Sequence, residues 1–126
     1  MNSFKTNEGI ESLIPDSFKC AGFTIKIEIY DKLPDNDYGD FDDARNIIRL
    51  ARSVEVDKET IQLTNEQIHN TLWHEIVHCF QFYYDNKYSE SQAQTFANFM
   101  QEFLRTKTYS LIVDTVPLIN ESKVNA

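Results

Sequence analysis

From Phe23 to Tyr30 the chain reads Phe-Thr-Ile-Lys-Ile-Glu-Ile-Tyr, an apolar/polar alternation with the period of two that a half-buried strand requires. Asn46-Ile-Ile-Arg-Leu-Ala-Arg52 predicts a second strand, and Thr60 to Leu63 a short third. Between the first two, Asp31 to Asp43 carries six aspartates with Pro34 and Gly39, and reads as a long acidic connection. At Thr64 the period changes. Thr64-Asn-Glu-Gln67 is a capping-box pattern, and Ile68, Leu72, Ile76, Cys79 and Tyr83 then form a helical apolar stripe, predicting a helix to about Tyr83. Asp85-Asn86-Lys87 breaks it. Ser89 and Gln92 repeat the capping pattern before a second stripe of Ala93, Phe96, Ala97, Met100, Phe103 and Leu104, so the two helices should form a hairpin.

The ends are less patterned. A short helix around Glu8 to Leu13 is suggested ahead of Pro15, and a strand-like patch at Tyr109 to Val113 precedes a polar tail. Residues 1–20 and 114–126 are therefore expected to be weakly ordered or peripheral. The expectation is one α+β domain over residues 1–126, with a small antiparallel or mixed sheet of two or three strands packed on a helical hairpin.

Composition narrows the function. A chain of 126 residues with 41% hydrophobic and 25% charged residues can bury a core without disulfide staples. Its net charge of −8 repels phosphate backbones and anionic membranes, which argues against nucleic acid or membrane as a partner. No apolar run reaches the roughly 18 residues of a membrane span, and the first residues lack a hydrophobic signal segment, so a cytoplasmic location is expected. Cys20 and Cys79 read as reduced, buried thiols.

The candidate chemistry lies on the first helix, in His74-Glu-Ile-Val-His78. Residues four apart share a helix face, so the two imidazoles can meet one cation while Glu75 projects beside them, and that face differs from the apolar stripe. A catalytic zinc needs three protein ligands and an open position for water, whose proton Glu75 would accept as general base. Leu72-Trp-His-Glu-Ile-Val-His78 followed by Glu90-Ser-Gln-Ala-Gln-Thr-Phe-Ala-Asn98 resembles the small phage-associated members of the gluzincin group, related to the ImmA/IrrE-like metallopeptidases, over roughly residues 22–105. The resemblance implies a minimal zincin whose site is completed by a glutamate at the start of the next helix.

The third ligand is the open point. No histidine follows His78, and the position six residues on is Tyr84. Glu90 lies at the edge of the second helix's apolar arc, in line with Gln94, whereas Glu102 points away. A tight hairpin centred near Asn86 would leave Glu90 about one helical turn, ~5 Å, towards the loop. Glu90, Gln94, Gln92 and no protein ligand all stay open.

Asp35 to Asp43 does not have the register of a calcium-binding EF-hand loop and reads as a solvated acidic loop, placed where it could border a substrate cleft. His69 is expected at the surface and Trp73 in packing. Tyr38, Tyr83, Tyr84, Tyr88 and Tyr109 are all candidate oxyanion donors. The function expected is a zinc peptidase acting on a protein or peptide, by resemblance a regulatory protein of a phage or mobile element. The alternative is a catalytically inactive zincin scaffold that binds a partner protein. A purely structural zinc would need a fourth protein ligand, which the sequence does not offer.

Overall fold

The computed structural model of the chain describes residues 13–85 and 87–110. Six strands precede two helices: β1 (Ser17–Cys20), β2 (Phe23–Tyr30), β3 (Gly39–Asp42), β4 (Ile47–Ala51), β5 (Ser53–Val56), β6 (Glu59–Gln62), α1 (Asn65–Phe80) and α2 (Glu90–Thr106). The fold is α+β with a mixed four-stranded sheet in the order β1-β2-β4-β3, and β5 and β6 form a separate hairpin. β2 and β4 run parallel, while β1 and β3 flank them antiparallel.

The alternation in β2 puts Ile25 wholly inside, and β4 adds Ile48 and Leu50. With Cys20, Leu72 and Cys79 they form the core, and Ile68, Ile76 and Tyr83 of the helical stripe pack against it. Both cysteines are buried free thiols, with the Cys20 Sγ donating to the Cys79 carbonyl at 3.9 Å. Burial pushes the Cys79 thiol up to about 12.

Three expectations are corrected. The sheet has four strands rather than two or three, because β1 pairs with β2 and the acidic connection folds into a Pro34–Asn36 turn and then β3, which pairs with β4, while the strand expected at 60–63 pairs with β5 outside this sheet. Residues 17–20 are not peripheral: they pair with β2 and bury Cys20. β5 was not foreseen either. Both missed hairpins turn on two residues with positive φ, Ala21-Gly22 and Asp57-Lys58. A non-glycine residue in that region costs roughly 1–2 kcal/mol, so neither dipeptide announces a turn. The expected helix at 8–13 lies almost wholly outside the described residues, as do 111–126, and Tyr109 is not in a strand.

α1 begins with the expected capping box between Thr64 and Gln67. At Ser89 one half of the second box forms, Ser89 Oγ accepting from the Gln92 N–H, while the Gln92 side chain is engaged by Gln81. No helix among the described residues is long and apolar enough to cross a membrane.

The edge strand β3 lies directly against α1, and Gly39 makes this approach workable. A Cβ there would stand 2.5 Å from Thr71 Cγ2 and 2.9 Å from the Arg49 carbonyl oxygen. Gly39→Ala is therefore expected to destabilise the fold by roughly 1–3 kcal/mol, as overpacking does, with partial recovery in the Gly39→Ala/Thr71→Ser double variant. Chemical denaturation of the four proteins checks this; additive effects of the two changes would refute the close contact.

Candidate metal centre

α1 ends as a regular helix at Phe80 and continues as a wider π turn over Gln81–Asp85. This turn sets where α2 lies. Asn70 meets Asn98, His74 meets Gln94 and His78 meets Glu90, pairings whose midpoint falls at Tyr84 rather than Asn86. The expected offset of Glu90 towards the loop is thereby removed.

His74 Nε2, His78 Nε2 and Glu90 Oε1 converge. Glu90 Oε1 is 2.7 Å from His74 Nε2 and 3.1 Å from His78 Nε2, and the two nitrogens are 3.1 Å apart. Tetrahedral ligands at about 2.0–2.1 Å from a zinc ion are about 3.3 Å apart, so the three atoms fit such an ion. Among the described residues His74, His78 and Glu90 form the one group of this kind. Gln94 and Gln92 are not in it: Gln94 bonds the far nitrogen of His74, and Gln92 accepts from Gln81. Glu102 makes no contact with the group and is exposed.

The outer hydrogen bonds decide which imidazole nitrogens face inward. For His78, Gln81 Oε1 accepts from the Ser89 N–H at 3.3 Å, and Gln81 Nε2 donates to the Ser89 carbonyl at 3.2 Å. The amide orientation is thus set by backbone groups, and His78 Nδ1, 2.9 Å from that oxygen, must donate. For His74 a chain of amides does the same. The Glu66 carbonyl accepts from Gln101 Nε2 at 2.6 Å, Gln101 Oε1 from Asn70 Nδ2 at 2.7 Å, Asn70 Oδ1 from Gln94 Nε2 at 3.0 Å, and Gln94 Oε1 from His74 Nδ1 at 2.8 Å. Each imidazole therefore turns a bare Nε2 lone pair towards the other and towards the carboxylate. Three converging lone pairs repel one another unless a cation or a proton lies between them.

Tyr88 braces the group. Its ring stacks on His78 at 4.5 Å and 6°, and its hydroxyl donates to Glu90 Oε2. That bond, first among the causes, holds the Glu90 carboxyl down at about 2, and the tyrosine hydroxyl is pushed up to about 12 by the same contact. Of the other tyrosines, Tyr83 donates to Asn46, Tyr84 accepts from the Ala21 N–H, and Tyr109 carries Lys107 over its ring. Tyr38 lines the cleft. His69, expected at the surface, is buried edge-on against Trp73, which also packs on Phe96.

Glu75 is only 7% exposed and has no hydrogen bond or ion pair among the described residues. Burial, with Asp40, Glu90 and Asp37 nearby, pushes its carboxyl up to about 8. It lies where two hollows meet along β3. One, of about 460 Å³, is bounded by Asp37, Asp43, Phe41, Phe82 and Tyr88; the other, of about 590 Å³, by Tyr38, Asn70, Gln94, Asn98 and Gln101. Both include Gly39, Glu75 and Glu90.

The histidines and Glu75 were legible as a motif, and Glu90 as an edge residue of α2. The roles of Asn70, Gln81 and Gln101 were not, because isolated amides carry no pattern until the helices are in register. Comparison of the chain with models of protein families, with curated proteins and with solved structures finds no match.

Gln81 is 1% exposed and satisfies His78 together with both backbone groups of Ser89. Gln81→Leu keeps the volume but orphans these partners, so the melting temperature is expected to fall by roughly 5–10 °C. A thermal melt within a degree of wild type would show that the network is dispensable.

Proposed function

We propose that this chain is a zinc-dependent peptidase of minimal zincin type, acting on a peptide bond of a protein or peptide. The observation that carries the reading is the convergence of two imidazole lone pairs and a carboxylate oxygen, with an unpartnered buried glutamate beside them at the floor of an open cleft. His74, His78 and Glu90 are the proposed ligands, leaving the cleft side open. A zinc ion held there would supply Lewis acidity towards the substrate carbonyl and lower the pKa of water towards neutrality. The protein's own part is proton handling and alignment. Glu75, with no competing partner among the described residues, takes a proton from the attacking water and delivers it to the departing amine. The Gln94 and Gln81 amides keep both imidazoles in the ligating tautomer, and Tyr88 keeps Glu90 turned inward. By the resemblance of the two helices to the phage-associated zincins, a phage or mobile-element regulatory protein is the substrate class we favour.

A second reading, a scaffold that binds a partner without cutting it, draws support from the aromatic ladder of Phe96, Phe99 and Phe103, which α2 leaves exposed.

About one zinc per chain is expected by elemental analysis, lost in His74→Ala and His78→Ala. Chelator competition should find affinity weakened at least tenfold in Glu90→Ala and roughly tenfold in Gln94→Ala, and unchanged in Glu102→Ala. Wild-type protein that takes up no zinc when supplied with it would end the metal reading.

Glu75→Gln should retain the metal and the fold while cleavage falls by ~10²- to 10⁴-fold. New peptide termini generated in a host lysate, compared between wild type and the variant, measure this. Full biological activity in the variant, with no difference in termini, would leave the scaffold reading standing instead.

A further inference from the structure

The hollow on the His78 side of the cleft has a composition that the proposed chemistry does not use. Its wall is aromatic: Phe41 and Phe82 meet edge to face at 6.0 Å. Its rim is acidic: Asp37 and Asp43 line it, are exposed, and have no ion partner among the described residues. Asp40, on the same strand, is different, because Arg49 clasps both of its oxygens at 2.5 and 2.9 Å. Lys87 is the one lysine or arginine among the lining residues.

The second sign is independent of the rim. Glu75 is more than nine-tenths buried, borders this hollow, and meets no cation among the described residues. Besides Glu90 and the Arg49-bound Asp40, three carboxyl groups, Asp37 and Asp43 beside β3 and Glu75 of α1, thus face one cavity with a single lysine near them. Burial keeps the Glu75 carboxyl largely protonated, so it offers an unpartnered polar group at the floor, while the two rim aspartates, partly screened by water, carry the negative charge. The hollow's volume of about 460 Å³ lies within the roughly 300–1,000 Å³ usual for ligand pockets. An apolar wall leading to anionic groups suits a side chain with an aliphatic stem and a cationic head.

We propose that this hollow is a substrate subsite selective for lysine or arginine, the stem lying against Phe41 and Phe82 and the head meeting Asp37 and Asp43. The inference rests on the reading of the cleft as a peptide site. The subsite is reached from β3, so the preferred residue lies next to the segment held over Glu75. Glutamate and aspartate are disfavoured there by the same charges.

Binding can be measured apart from hydrolysis. The probes are acetylated, amidated octapeptide mixtures, randomised except for one fixed position scanned along the peptide, holding lysine, its neutral isostere norleucine, or glutamate. Fluorescence anisotropy with wild-type protein should give at least one position at which lysine binds about five- to tenfold tighter than norleucine, and glutamate weakest. The advantage should shrink to less than twofold in Asp37→Asn/Asp43→Asn, both exposed positions whose change leaves the fold intact, and it should decline as salt is raised. Equal binding of lysine and norleucine at every position, no binding of any mixture at millimolar concentration, or a lysine preference untouched in the double variant would each overturn the subsite. Lysine-selective binding without any cleavage would retain the subsite and sink the peptidase instead.

Discussion

The register of α2 against α1 is the constraint on which the site depends. The π turn at Gln81–Asp85 sets the hairpin's midpoint at Tyr84, and from this follow three aligned contacts, Asn70 with Asn98, His74 with Gln94 and His78 with Glu90. A shift of one turn, about 5.4 Å along the helix, would replace Glu90 by Gln94 at the convergence point and Gln94 by the shorter Asn98 beside His74. The register is held at both ends. Gln81 ties the turn to Ser89, and Arg105 pairs with Glu66 at 2.7 Å near the start of α1. The Arg105–Glu66 pair is exposed and contributes little energy by itself, so the buried Gln81 network carries more of the specification.

The same register leaves the cleft electrostatically unbalanced. Glu75 and Glu90 come from different helices, Asp37 and Asp40 from the segment around β3, and all four act on one small volume. Burying Glu75 among them works against folding, as does bringing three lone pairs together at His74, His78 and Glu90. Natural sequences keep such local conflicts mainly at functional sites. The surrounding amides offset part of the cost by fixing tautomers and satisfying the outer nitrogens, without adding a charge of their own. The sheet contributes through Gly39, whose missing side chain lets β3 form the wall of the cleft against Thr71.

Periodicity was enough to identify β2, β4, β6 and both helices, because apolar spacing reports directly which face each element buries. It also placed His74, Glu75 and His78 off the core stripe, since spacing within one helix is a local property. What it could not reach has specific causes. Asp35 to Asp43 looked like solvated loop because an edge strand exposed on one side has little apolar signature, and the hairpins at Ala21-Gly22 and Asp57-Lys58 each hold a residue that ordinarily avoids positive φ, Ala21 and Lys58. His69 seemed a surface residue because its burial comes from Trp73 and the helix packing, which no pattern within α1 reports.

The sequence by itself therefore determined β2, β4, β6 and both helices, the two-histidine face and the acidic character of the chain, all of which follow from local spacing or from composition. Tertiary structure alone chose Glu90 over Gln92 and Gln94 for the convergent group, set the Tyr88 hydroxyl against Glu90, and joined Glu66, Gln101, Asn70 and Gln94 into one chain ending on His74. Apart from those of Tyr88, these contacts join residues 12 to 35 positions apart, whose alignment is set by how one turn is wound and how two helices pack, and neither is written in the spacing of either helix.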